Sequence, residues 1–273
     1  MAIPTILGYN LVFGKGKILH FGQEAIALAA VYAVWVPVML HGAPLGVGIV
    51  FGIVAAVVMA LVLAWLSFRL DADGLGVMSI ALHLAALAVV LNWQSVTRGA
   101  LGIPRIARPA GMEDLQSFTI VMAVVAVLWI IGMYWLDRGP FGRALVALSE
   151  HSWHAEALGI RRRRIHTIAF LITGMGALVT NFFFPMYLHL LSPSDFGFPI
   201  TIFFVTIIVA GGPGSLWGVI CATFLLFFLR EGMRLLPLPA DMLGPLRLMI
   251  FSTILFVAVW FRRKQIFPKQ REV

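Results

Sequence analysis

Residues 45–68 read LGVGIVFGIVAAVVMALVLAWLSF, with no acid, base, amide or proline among them. A bilayer core about 30 Å thick takes roughly 20 apolar residues of helix to cross, and this stretch is long enough. Working outward, further apolar stretches with few charges occupy 22–41, 76–93, 115–136, 166–191, 199–229 and 243–261. Strand-like alternation is missing, and so is the even series of ten-residue segments that marks an outer-membrane barrel. The expected fold class is all-α: a polytopic transmembrane helical bundle of about seven to eight spans, some broken or re-entrant. Residues 1–273 are read as one transmembrane domain. Gly46, Gly48 and Gly52, and likewise Gly174 and Gly176, are expected to let helices approach closely.

The composition agrees. Hydrophobic residues make up 61% and charged residues 12%, with a mean hydropathy of +0.97, too apolar for a soluble chain of this length. In a soluble protein a net charge of +8 and a pI of about 10.4 would suggest nucleic acid as partner. Here the cations sit in the gaps between apolar stretches, where they set orientation and meet anionic headgroups. Membrane lipid is the expected partner and nucleic acid is not. The lone Cys221 rules out an internal disulfide and a cysteine metal cluster. Residues 2–13 are apolar, but Lys15 and Lys17 follow the stretch instead of preceding it, unlike a cleavable signal peptide. Too short for an ordinary span, the stretch reads as a half-helix or as a span that has lost its beginning.

Orientation follows from Lys and Arg. The gap at 137–165 holds Arg138, Arg143 and Arg161 to Arg164, and the tail holds Arg262, Arg263, Lys264, Lys269 and Arg271. Both are expected in the cytoplasm of a bacterial inner-membrane protein. The gap at 192–198, with only Asp195, is expected outside. Since 166–191 and 243–261 cross once each, 199–235 must cross twice or not at all. Gly211-Gly212-Pro213-Gly214-Ser215 interrupts that segment, so two short helices are expected to meet at the glycine turn, shielded from lipid. A single kinked span would instead put the tail outside. Reading backwards puts 94–114 outside, 69–75 inside, 42–44 outside and the N-terminus inside. The outer gap 94–114 carries Arg98, Arg105 and Arg108 against Glu113 and Asp114.

The long gap contains FGRALVALSEHSWHAEALGI at 141–160. Leu145, Leu148, Ala155 and Leu158 fall on one helical stripe, and Arg143, Glu150 and His154 on another face. Gly159 stands where a helix would stop, with four arginines expected at the favourable C-terminal end of its dipole. Such an amphipathic pair of helices is expected to offer its apolar stripe to lipid headgroups or to a partner's groove.

This stretch resembles the cytoplasmic coupling loop of bacterial ABC importer permeases, in the form used by the branched-chain amino acid (LivH/LivM-type) family, with Arg143, Glu150, Glu156, Gly159 and Ile160 in place. Asn92-Trp93-Gln94-Ser95-Val96-Thr97-Arg98-Gly99-Ala100-Leu101-Gly102-Ile103-Pro104, Ser192-Pro193-Ser194-Asp195-Phe196-Gly197-Phe198 and Gly211 to Gly218 are similar to further family segments in the same order, over about residues 5–268. The resemblance implies a type II-like importer permease working by alternating access. It implies two ABC ATPase subunits gripping the loop through Arg143, Glu150, His154, Glu156 and Gly159, a second homologous permease subunit and a periplasmic solute-binding protein. It implies branched-chain amino acids as substrate, with urea, short amides or other small organic acids as alternatives. His151, Trp153 and His154 depart from the family pattern, and so do Lys17 and His20 in the 14–22 segment that the family would place in the pathway. The second departure implies a different solute. The family would also have a longer N-terminus, implying a missing first span.

No chemistry is expected of the chain itself. The 211–218 turn lacks the Gly-Lys-Ser/Thr ending of a phosphate loop, so no nucleotide site, catalytic group or cofactor is expected. His151 and His154 have a metal-compatible spacing but no further ligands nearby. Glu24, the only acid well inside an early span, is expected to face the pore or to pair with His20 across a turn. His83 and His189 either line a pathway or make interhelical hydrogen bonds. Asp71 and Asp73 are expected to pair with Arg69 in water. Glu24, His83, Gly211, Gly212 and Gly214 are the pathway or gating candidates. An ion-coupled secondary transporter or channel is the alternative class, for which Glu24 and His83 alone form no acidic cluster.

Overall fold

The computed structural model describes residues 1–109, 111–233 and 240–266. Helices α1 (Ile3–Tyr9), α2 (Gln23–His41), α3 (Leu45–Arg69), α4 (Ala72–Asn92), α5 (Gln94–Thr97) and α6 (Leu115–Arg138) lead to α7 (Pro140–Glu150) and α8 (Ser152–Ala157). Then come α9 (Arg162–Leu188), α10 (Phe198–Gly211), α11 (Leu216–Gly232) and α12 (Ala240–Ile266). Six of these are long and apolar enough to cross a membrane: α2, α3, α4, α6, α9 and, within α12, Gly244–Phe261. The chain is a polytopic helical bundle, as the apolar stretches predict. Its only strand pairing among the described residues is a two-residue ladder, β1 (Ile103–Pro104) antiparallel to β2 (Leu190–Leu191).

Polar residues at the span ends stop and start the helices. Asp71 accepts from the Gly74 amide at 2.9 Å, Asp114 from Ser117 at 2.8 Å and Ser215 from Gly218 at 3.1 Å, each an N-cap that satisfies an orphan donor. Asp71 is therefore a cap and not, as expected, a solvated partner of Arg69.

The apolar stretch at 2–13 proves to be the most buried part of the chain. α1 lies against α9, α6 and α11, and every residue from Ile3 to Gly14 is buried. The Thr5 amide donates to Thr180 Oγ1 at 3.2 Å, the Thr5 hydroxyl to the Gly176 carbonyl at 3.3 Å, and Thr180 Oγ1 to the Met1 carbonyl at 3.1 Å. Seven residues of α1 rise only about 10 Å, too little to cross a bilayer core. α2, α3 and α9 complete the centre, with α12 at the edge.

Contacts sort the connections into two ends. At one end lie the α3–α4 turn, Lys15, α7, α8 and the start of α9: Phe68 stacks on His166 with ring centroids 6.1 Å apart, and Lys15 pairs with Asp137. At the other end, Gly102 lies against Leu191, His189 Nδ1 meets the Ile106 carbonyl at 3.0 Å, and Arg108 donates to Met186 and Glu113 carbonyls. α10 leaves the second end and α11 returns to it, since Arg230 near the end of α11 lies 5.4 Å over the ring of Phe203 near the start of α10. The described part of the segment 199–235 is thus a hairpin of two helices, Phe198–Gly211 and Leu216–Gly232, not a single kinked span. The tail cations Lys269 and Arg271, and the side chains of Arg262, Arg263 and Lys264, lie outside the described residues.

Small residues set the closest helix contacts. A Cβ on Gly52 would lie 3.2 Å from the Ala30 carbonyl, and one on Gly174 would lie 3.2 Å from that of Ala56; Gly48 and Gly176 are equally crowded, by Val34 and Pro4. Gly46, expected to behave alike, faces open space. Two substitutions on α3 therefore separate packing from helix propensity. Gly52→Ala is predicted to destabilise the bundle by about 1–3 kcal/mol through overpacking. Gly46→Ala is predicted to stay within ~0.5 kcal/mol. Thermal unfolding of both variants in the same detergent measures the difference.

Candidate functional site

Two segments leave helical geometry inside the bundle, and they touch. The first is the end of α1, which widens into a π-helical turn over Asn10–Lys15 and then runs without regular structure through 16–22 to α2. The second is the turn at 212–215 between α10 and α11. The Gly214 amide donates to Asn10 Oδ1 at 2.9 Å. A Cβ on Gly14 would collide with the Gly214 amide and lie 3.1 Å from the Pro213 carbonyl carbon. Gly212 and Gly214 hold φ of 96° and 81°, which favours glycine, while Gly211 lies against the backbone of Gly218 and Val219.

Exposed backbone polar groups in hydrocarbon are costly, and this break satisfies many of its own. The Gly16 amide reaches the Leu11 carbonyl at 2.9 Å and the Ile18 amide that of Val12 at 3.1 Å. The Phe21 amide donates to Ser79 Oγ at 2.8 Å, and the Tyr9 hydroxyl to the His20 carbonyl. Side chains continue the network, with Thr173 Oγ1 donating to Gln23 Oε1 at 3.1 Å.

Against this satisfied backbone, two titratable side chains stand out. Glu24 is 2% exposed, and its Oε1 has no protein partner among the described residues. His20 is fully buried between Tyr9 and Phe170, with centroids at 4.9 and 5.2 Å, and neither ring nitrogen is bonded. Buried polar groups are usually hydrogen-bonded, and orphans inside a membrane bundle mark functional positions. The expected pairing of Glu24 with His20 across a helical turn is not made, because His20 lies in the irregular segment before α2 and four-residue helical spacing does not apply to it. His83 takes the interhelical alternative, its Nε2 2.7 Å from the Phe196 carbonyl.

The 141–160 stretch forms the expected pair of helices, with two corrections. Leu145, Leu148 and Ala155 are not offered to a partner: they are buried in this chain, with Leu145 against Gly16. The large apolar side chains exposed here are Trp153 of α8, at 81%, and Leu158 at its C-cap, at 83%. The four arginines do not follow the end of a dipole. Gly159, at φ 86°, closes α8 with the Gly159 amide on the Glu156 carbonyl and the Ile160 amide on Ala155, the paired bonds of a Schellman cap. Arg161 then caps α9, and Arg162, Arg163 and Arg164 form its first turn. Arg143 donates to the Arg138 carbonyl at 2.8 Å; Glu150 is exposed at the end of α7, and His154 lies 5.4 Å from His151, ring to ring. No group of three or more His, Cys, Asp or Glu is arranged for a metal among the described residues.

The structure joins these two regions through residues that sequence reasoning missed. Lys15, in the π turn, forms an ion pair with Asp137 at the end of α6 and also donates to its carbonyl at 3.2 Å. With Leu145 on Gly16, this fastens the α6–α7 corner to the break, whose other face holds Gly214. The signal available in sequence was Asp137 beside an arginine-rich gap and Lys15 beyond an apolar stretch, two opposite charges 122 positions apart.

Comparisons with known proteins come down on the same side. The chain is 28% identical over 258 residues to the high-affinity branched-chain amino acid transport system permease protein LivM of Escherichia coli (strain K12), covering 84% of this chain and 60% of that protein. The LivM of Salmonella typhimurium gives the same identity and coverage. The autoinducer 2 import system permease protein LsrC of Photorhabdus laumondii is 24% identical over 203 residues, covering 70% of this chain and 57% of that one. The chain thus spans about three fifths of the length of these relatives. No solved structure matches. The sequence profile described as branched-chain amino acid transport system / permease component matches residues 5–259, and the chain belongs to that family.

Proposed function

We propose that the chain is the permease subunit of an ATP-binding cassette importer in the bacterial inner (plasma) membrane, moving branched-chain amino acids or similar small polar solutes inward by alternating access. The observation that carries the proposal is the physical joint between the α7–α8 loop and the break at 10–22. ATP is hydrolysed by partners, two ATPase subunits whose grooves take α8 through Trp153 and Leu158 beside Glu150, His154 and Glu156. A second, homologous permease and a periplasmic solute-binding protein complete the complex. The loop 137–165 and the C-terminus face the cytoplasm, while 94–114 and 192–198 face the binding protein. Family membership and the cation-rich 137–165 gap support this orientation.

Force travels along named contacts. When the ATPases close, α8 and α7 move together, because the Schellman cap and the buried Leu145, Leu148 and Ala155 hold the loop to the bundle. The Lys15–Asp137 pair and the Leu145–Gly16 contact pull on the π turn. That turn meets the α10–α11 turn through Asn10 and Gly214, so displacing it opens one break from the other. Glu24 and His20 lie just beyond, with unfilled bonding capacity. A buried carboxylate suits the ammonium group of an amino acid, a charge-assisted bond that offsets the desolvation of both partners.

Leu145→Ala is predicted to destabilise the purified chain by about 2–5 kcal/mol, as expected of a buried leucine. Leu158→Ala is predicted to leave stability unchanged and to weaken ATPase association about tenfold or more, as loss of an interface anchor does. Unfolding and pull-down of the two variants separate these roles; equal behaviour of the pair in both assays contradicts them. Glu24→Gln is predicted to cut solute uptake by the reconstituted complex at least about tenfold while the complex still assembles. Full uptake by that variant removes Glu24 from the pathway. Lys15→Met is predicted to keep ATP hydrolysis but lose its stimulation by the loaded binding protein, measured as phosphate release.

A further inference from the structure

At the junction of α8 and α9 lies a cavity of about 850 Å³, lined by Phe68, Glu156, Gly159, Ile160 and the guanidinium-bearing residues Arg161 to Arg164. None of the four guanidinium groups has a hydrogen-bonding or ion-pair partner among the described residues. Three of them stand in the first turn of α9, where the positive end of the helix dipole opposes cations. Four like charges on consecutive residues, at the wrong end of a helix and with one carboxylate nearby, call for an external anion.

Depth and wall chemistry choose among anions. α9 has 27 residues, about 40 Å of helix, and the hydrocarbon core takes about 30 Å. Its first turn therefore stands in the headgroup layer. One wall of the cavity is Phe68, in the last turn of α3, stacked on His166, a buried residue whose Nδ1 is unbonded. Ile160 adds a second apolar wall. Four planar, bidentate donors beside apolar walls, at headgroup depth, match a phosphate carrying acyl chains better than a carboxylate on a soluble partner.

We propose that this pocket binds the phosphate of an anionic phospholipid. Glu156 and Gly159, which close α8, share its wall, so an occupied pocket neutralises the arginines beside the loop that the ATPases are proposed to grip. That consequence rests on the importer function; the binding itself does not.

The test uses the purified full chain without partners. Native mass spectrometry from micelles containing equal phosphatidylglycerol and phosphatidylcholine counts the lipids retained. The wild-type chain is expected to retain phosphatidylglycerol preferentially, and millimolar glycerol phosphate is expected not to displace it. Arg161→Gln, Arg162→Gln, Arg163→Gln and Arg164→Gln combined are expected to lower the preference about tenfold or more, and the corresponding four lysine substitutions to retain part of it. If the glutamine variant does not accumulate, Arg163→Gln and Arg164→Gln singly are each expected to lower it about fivefold. Arg98→Gln with Arg105→Gln, at the opposite end, is expected to leave it unchanged. An unchanged preference in the α9 variants, an equal loss in the Arg98/Arg105 variant, or displacement by glycerol phosphate overturns the site.

Discussion

In hydrocarbon a peptide group without a partner is costly, and a chain that breaks its helices there must wrap the breaks in protein. That constraint orders this bundle. The segment 10–22 and the turn 212–215 are irregular where they pack inside the bundle, and each supplies something the other lacks, with Asn10 accepting from Gly214 and Gly14 leaving room for the turn. α9 and α2 enclose the pair, with Thr173 and Gln23 bonded between them. The central place of α1 has the same cause, since without it both breaks would face lipid.

Once the breaks lie at the centre, control over them has to enter from an end. In the proposed importer it enters where α6 turns into α7. Asp137 reaches Lys15, and Leu145 covers Gly16. The ion pair is only partly exposed, so it is less screened than a surface pair, and removing one partner leaves the other charge poorly solvated. A rigid cap at Gly159 keeps α8 from swinging independently of α9. In the proposed importer the exposed Trp153 and Leu158 form the handle, and the buried leucines of α7 form the shaft. Glu24 and His20 lie just behind the break with bonding capacity left open, which is why the proposed pathway runs past them.

Much of the architecture was legible in the residues. The uncharged 45–68 stretch admits little besides a span, and the Gly-Gly-Pro-Gly-Ser turn announced the hairpin. The stop at Gly159 was also visible, because an αL cap nearly demands glycine. Other features depended on tertiary contacts. The largely apolar stretch at 2–13 carries no periodicity that separates a peripheral segment from a central one. The stripe of Leu145 and Leu148 shows that the helix buries a face, and says nothing about its cover; here the cover is the chain's own break. The arginines were placed at the end of α8 because that end suits cations, yet α9 begins among them, where arginine's good helix propensity and a watery headgroup layer outweigh an unfavourable dipole. The Lys15–Asp137 pair, far apart in sequence, has no local signal at all.

The most direct test of the central claim tracks the joint itself in the assembled complex. Spin labels at Lys17 and Trp217, both exposed, are introduced in a Cys221→Ser background, and their separation is measured by double electron–electron resonance with and without trapped ATP. The account predicts a shift of about 5 Å, a one-turn displacement of the break against the hairpin, that disappears when Lys15 is replaced by methionine. An unchanged separation in the ATP-trapped complex, or a shift that survives the loss of Lys15, contradicts it.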